Sequence, residues 1–226
     1  MGEESAEVMR ALLRTQPLTL FSCTRLSFQD YAEVEPSFHM RHFLELKEDW
    51  FVMNSTGSSH KLKYNRTHSF PQITEGWEAL KVFEGFPENV EVVFGHYGGR
   101  LFVVVSFKEI ENFNEIAAFH SRSMAPNETE LFDISLTFDD VTNKSLVVRE
   151  SFAEFIREKS LDYVEVCGDN GISYPLKVVA KRGRAYVKVG RMWDQLCDVL
   201  NFKAGDVVRF KFGRDLRCYL YKIGEV

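Results

Sequence analysis

Apolar residues fall mostly in runs of about five to seven, separated by clusters rich in Gly, Asn, Asp and Ser. Such runs suit half-buried strands joined by tight connections. Turn signals stand at Asn54 to Gly57, His96-Tyr97-Gly98-Gly99, Gly168-Asp169-Asn170-Gly171 and Gly213-Arg214-Asp215. Two stretches carry apolar residues at helical spacing instead: Ser37 to Lys47 with Phe38, Phe43 and Leu46, and Glu150 to Ser160 with Phe152, Phe155 and Ile156. A further short helix is predicted after each of Trp77 and Trp193. The second half therefore reads as strands 132–138, 145–149, 161–167, 173–181, 184–189, 206–212 and 217–223, with helices 150–160 and 193–200. Seven strands and two helices in that length suggest a partly open barrel.

The pattern occurs twice. Gly76-Trp77-Glu78-Ala79-Leu80, then Val90, Val92, Val93 and Phe94, then Leu101 to Val105, is matched by Trp193-Asp194-Gln195-Leu196, then Val207, Val208 and Phe210, then Cys218 to Tyr221. Trp77 to Phe94 and Trp193 to Phe210 are each 17 residues, so the segments superimpose at an offset of 116 without a gap. The organisation expected is a first domain over 14–110, a polar linker over 111–131 and a second domain over 132–226.

Composition agrees with a β-rich chain: 20 Phe, 8 Tyr and 3 Trp, with many Val, suit a pleated surface. The net charge of −5 speaks against nucleic acid at first sight, but it is unevenly spread. Residues 132–226 hold 16 Lys and Arg against 14 Asp and Glu, while the residues before them hold 12 against 19. The acidity lies in the first half.

Little else carries chemistry. Cys23, Cys167, Cys197 and Cys218 stand far apart, which suits buried or free thiols better than a zinc or redox motif. His39 and His42 have helical spacing that could hold a metal, but without a third ligand nearby they read as a partly exposed helix face. Asp139-Asp140 lacks the companions of a nuclease site, and the equivalent placement of Trp77 and Trp193 favours core packing over base stacking. Four sequons, at Asn54, Asn65, Asn127 and Asn143, are short enough to arise by chance. A non-catalytic, soluble, intracellular protein is expected, with no cofactor, no metal, no membrane association and no small-molecule substrate.

The order of elements, Gly76-Trp77 before a short helix, Gly205-Asp206 before a strand, and Leu146-Val147-Val148-Arg149-Glu150-Ser151-Phe152-Ala153 at a strand-to-helix junction resemble the plant B3 DNA-binding domain. The departures are Glu88-Asn89 for Gly-Asp in copy one, Gly190-Arg191-Met192-Trp193 for adjacent Gly-Trp in copy two, and Arg149 where Pro is customary. They are similar to the reproductive-meristem branch of that superfamily. The resemblance implies a mainly β fold with short helices, as two tandem seven-stranded open β-barrels (B3-like pseudobarrels). It also implies a nuclear transcriptional regulator that grips double-stranded DNA in the major groove with two arms. One arm joins the first two strands and the other joins strands four and five.

The second arm is supplied with cations. No acid occurs between Asp169 and Asp194, where Lys177, Lys181, Arg182, Arg184, Lys188 and Arg191 fall. Gly183 would let Arg182 and Arg184 turn out of a tight bend, and Arg can fork onto guanine or phosphate. Copy one shows the same depletion between Asp49 and Glu75, with Lys61, Lys63 and Arg66 beside His60 and His68. The first arm is thinner: Asn143, Lys144 and Arg149 in copy two, Arg25 in copy one. Copy two is the expected DNA reader, and the acidic copy one a candidate for protein partners. The alternative for the whole chain is a protein-interaction module that keeps the barrel and binds DNA weakly or not at all.

Overall fold

Strands form where apolar and polar positions alternate, and their inward residues build two separate cores. The computed structural model describes residues 15–53, 58–66, 70–124, 129–180 and 185–225. The chain divides into two compact units, Met1–Met124 and Ala125–Val226. The first runs β1 (Thr19–Arg25), β2 (Ala32–Val34), α1 (Pro36–His42), β3 (Asp49–Met53), β4 (Ser59–Tyr64), β5 (Gln72–Glu75), α2 (Trp77–Glu84), β6 (Val90–His96) and β7 (Leu101–Glu109). The second runs β8 (Thr129–Ser135), α3 (Phe138–Thr142), β9 (Leu146–Arg149), α4 (Glu150–Glu158), β10 (Tyr163–Cys167), β11 (Ser173–Ala180), β12 (Tyr186–Val189), α5 (Trp193–Val199), β13 (Asp206–Gly213) and β14 (Cys218–Glu225).

Both units are mainly β, with seven strands and short helices, and both follow one strand order. The first is a closed barrel, β1-β2-β5-β4-β3-β7-β6, in which β1 pairs with both β2 and β6. The second, β8-β13-β14-β10-β11-β12-β9, is the same ring read the other way and left open between β8 and β9. Each ring contains one parallel pair, β3 with β7 and β10 with β14. The opening has a local cause. Ten residues separate β8 from β9, against six between β1 and β2, and they include α3. Thr137 and Asp140 cap that helix reciprocally, and the Trp193 indole N–H donates to the Asp140 carbonyl at 2.8 Å.

The repeated aromatics occupy equivalent places. Phe21 of β1 stacks on Phe38 of α1, and Phe132 of β8 stacks on Phe152 of α4, with ring planes 7° and 6° apart. Trp77 and Trp193 are 3% and 0% exposed and pack toward Phe94 and Phe210. Trp50, enclosed between Tyr64 and Phe102, belongs to the first core alone. Gly76 precedes Trp77 at φ +85, where an added Cβ would meet the Lys61 carbonyl at 2.2 Å, so this position requires glycine. In the second unit Gly190, at φ +103, supplies the left-handed residue two positions earlier relative to its Trp.

Several details differ from the sequence expectation. α1 ends at His42, where the Glu45 N–H tightens onto the His42 carbonyl three residues back instead of the helical four, and not near Lys47. His39 is not on a partly exposed face: it is fully buried, with Nδ1 2.5 Å from the Tyr64 hydroxyl. Strand register matches Gly205-Asp206 to Asn89-Val90, one residue on from Glu88-Asn89. Within the stretch 111–131, residues as far as Ser123 pack onto the first unit. The Ser121 N–H donates to the Glu33 carboxylate at 2.8 Å, and His120 Nε2 lies 3.0 Å from Gln29 Oε1. Glu33 is 3% exposed and requires such donors. The four cysteines are all buried and unpaired as disulfides.

Asp206, 3% exposed, locks the start of β13 by accepting from the Lys203 N–H and from Lys222 Nζ, at 2.8 and 2.7 Å. Burial alone would raise its carboxyl, but these hydrogen bonds together hold it below the usual aspartate range. A depressed folded value stabilises fully above the unfolded value of about 4 and is lost as pH falls through the folded one. We expect Asp206→Asn to destabilise the second unit by about 1–3 kcal/mol at neutral pH. Urea unfolding across the acidic range should show a smaller pH dependence for the variant than for the parent.

Candidate nucleic-acid interface

In the second unit, alternation along three adjacent strands sorts the side chains. Leu146, Val148, Leu176, Val178, Val187 and Val189 point into the core, so the residues between them face outward. On that outer face Lys188 of β12 stands between Val147 of β9 and Val179 of β11, and Arg149 is opposite Tyr186. Lys177 lies one strand further along, opposite Tyr163 of β10. The neighbouring loops bring in two more cations. The Lys144 carbonyl accepts from the Trp193 N–H, and the Lys177 carbonyl accepts from the Gly190 N–H, which holds Lys144 and Arg191 near one end of the patch.

Lys144, Arg149, Lys188 and Arg191 are exposed and Lys177 is partly exposed. Among the described residues none of these five forms an ion pair. Lys181, Arg182 and Arg184 lie outside the described residues. Asn143 has a structural task, donating its amide to the Asp139 carbonyl at the end of α3. Two acids, Glu150 and Glu154, line the cleft beside Arg149, together with Arg157 and Tyr186. Glu150 takes a left-handed φ of +51 at the turn from β9 into α4.

The first unit treats its candidate cations differently. Lys61 and Lys63 both pair with Asp49, at 3.1 and 2.7 Å. Lys63, then Lys61, holds the Asp49 carboxyl below its usual range, and Asp49 in turn raises Lys63. Arg25 pairs with Glu78. Arg66 donates to the Phe43 carbonyl at 3.1 Å and lies over the Phe43 ring. All four are thus engaged within the unit; His68 lies outside the described residues.

One surface residue was missed by reading charge alone. Phe138 begins α3 and is 72% exposed, on the connection between the first two strands. An exposed ring there offers an apolar contact of the kind made to a thymine methyl. The signal for it was Thr137-Phe138-Asp139-Asp140, a capping-box spacing that fixes a helix start.

Fold and surface together define a class: a tandem protein of two small barrels, one of which carries a sheet face whose cations have no ion partner among the described residues. Among solved structures the chain is similar to the hypothetical Arabidopsis thaliana protein At1g16640.1, with 22% identity and a TM-score of 0.37 over 45% of this chain and 97% of that one. No protein-family model matches the sequence. No curated protein matches it.

The Asp49 pairing can be checked directly. By carboxyl NMR, Asp49 should titrate below the usual aspartate range, and Lys63→Ala should move it back up more than Lys61→Ala does.

Proposed function

We propose that the chain is a non-catalytic binder of double-stranded DNA, acting in the nucleus as a transcriptional regulator, and that its second unit is the reader. The observation that carries this reading is the contrast in charge satisfaction. Five cations lie on or beside one outer face of the second unit without ion partners among the described residues, whereas Arg25, Lys61, Lys63 and Arg66 of the first unit are all engaged internally. Unpaired Lys and Arg can release counterions from phosphate; an ammonium already shared with a carboxylate gains less.

Dimensions support the same reading. Three strands at about 4.8 Å spacing span about 10 Å, close to the major-groove width of about 12 Å. Cations at the two margins of β9-β12-β11 can therefore reach phosphates on both sides of one groove. The α3 connection, with Phe138, and the connection between β11 and β12, with Arg182 and Arg184, would then meet base edges. The acidic balance and internally paired cations of the first unit favour protein contacts for that copy.

Fluorescence anisotropy with a mixed-sequence duplex tests this over a range of salt. Arg149→Ala with Lys177→Ala should weaken binding and reduce the slope of log affinity against log salt by about 2, since each phosphate left without its cation accounts for about 0.9. Lys61→Ala with Lys63→Ala should leave the slope unchanged. Equal effects of the two pairs would refute the assignment to the second unit. Failure of the intact chain to bind any duplex at low salt would favour an interaction module.

A further inference from the structure

In the first unit the end of α1 meets the end of β6, and three side chains with metal-ligand chemistry converge there. His42, Glu45 and His96 each bring a ligand atom within 4.8 Å of the others. His42 Nδ1 faces Glu45 Oε1, and His42 Nε2 lies 2.8 Å from Thr19 Oγ1. The His42 and His96 rings stand 5.0 Å apart and nearly perpendicular, at 77°. His96 supplies an independent observation. It is fully buried, and neither ring nitrogen meets a partner of hydrogen-bonding geometry, the Gly99 backbone exerting only a weak pull. A fully buried imidazole with both nitrogens unpartnered is costly.

The second unit provides an internal comparison. Phe38 and Phe152 are equivalent through their stacking on Phe21 and Phe132. Four residues further along each helix, His42 corresponds to Ile156, and seven further, Glu45 corresponds to Lys159. His96 corresponds to Phe212 through the pairings His96 with Phe102 and Phe212 with Cys218. Ile156 and Phe212 are each 1% exposed, and Phe212 packs against Phe155 at 4.8 Å. The two places taken by imidazoles in the first copy are thus filled by hydrocarbon in the second, and a lysine stands where the first copy has its carboxylate. The barrel itself does not require the polar set.

We infer that His42, Glu45 and His96 form a binding site for a divalent transition-metal ion, Zn²⁺ foremost. Two imidazoles and one carboxylate suit Zn²⁺, whereas Mg²⁺ and Ca²⁺ favour all-oxygen sets. In a tetrahedral site with bonds of about 2.0–2.1 Å, ligand atoms lie about 3.4 Å apart, so the ion would part the His42 Nδ1–Glu45 contact while every ligand atom already lies within 4.8 Å of the others. With the ion on His42 Nδ1, the Nε2–H donates to Thr19 Oγ1, the outer hydrogen bond that fixes a ligating imidazole. The buried thiols take no part. The ion would tie α1 to β6.

Zinc titration of the chelator-stripped full chain by calorimetry, with Co²⁺ as a spectroscopic substitute, tests this. The parent chain should bind one equivalent of Zn²⁺ at the cluster, raise its unfolding temperature, and give visible Co²⁺ bands without a thiolate charge-transfer band. His96→Phe copies the residue of the second unit; it should weaken binding by more than about a hundredfold, beyond the effect of merely disturbing an outer partner. Glu45→Gln should weaken it as well, and His60→Ala, outside the cluster, should not. If circular dichroism shows His96→Phe misfolded, His42→Ala serves the same purpose. No stoichiometric binding by the parent, or binding undiminished in the cluster variants, would overturn the inference.

Discussion

Both barrels depend on one interaction, the stacking of a phenylalanine from the first strand on a phenylalanine from the first helix. Phe21 with Phe38 and Phe132 with Phe152 join an element that opens each ring to the helix that plugs it. Each such pair contributes about 0.5–1.5 kcal/mol beyond its burial. Its larger effect is geometric. With the helix seated, Trp77 and Trp193 close against Phe94 and Phe210, and the order of the remaining strands follows in both units. The second unit keeps this frame even though its ring is open between β8 and β9, because Trp193 also anchors the connection that fills the gap.

A shared frame leaves the outer surface free to diverge, and charge is where the copies part. Lys61 and Lys63 sit on β4, and Lys177 on the equivalent strand β11. Asp49 stands opposite Lys63 on the neighbouring strand of the first unit, while Tyr163 stands opposite Lys177 in the second. One cross-strand neighbour thus separates two neutralised lysines from a lysine with no ion partner among the described residues. The same divergence operates inside the core, where His96 and Phe212 occupy matching places with opposite chemistry.

How far this could be read from residue order depends on the range of each interaction. The repeat, the later strand ranges of the second half and the buried Trp residues were legible because periodicity and spacing are local; the first strand, expected over 132–138, runs instead over Thr129–Ser135, starting inside the expected linker and giving way to α3 at Phe138. α3 was not, since five residues give no helical period; its capping box was the available sign. The window between Asp49 and Glu75 looked basic, yet the acid that bounds it folds back across a hairpin onto Lys61 and Lys63. The site at His42 was not legible because, although Glu45 lies three residues away, its third member, His96, arrives from β6, remote in sequence. Glu33 likewise gave no sign that residues beyond 110 would return to satisfy it. In each case the decisive neighbour is remote in sequence.

The most direct test of a shared frame with unequal function is amide NMR of the intact chain titrated with a short duplex at low salt. Shift changes should concentrate in 143–149 and 177–191, with β3 and β4 of the first unit unaffected. Changes centred on β3 and β4, or spread equally over both units, would contradict a division of labour set by which copy leaves its candidate arm cations unpaired.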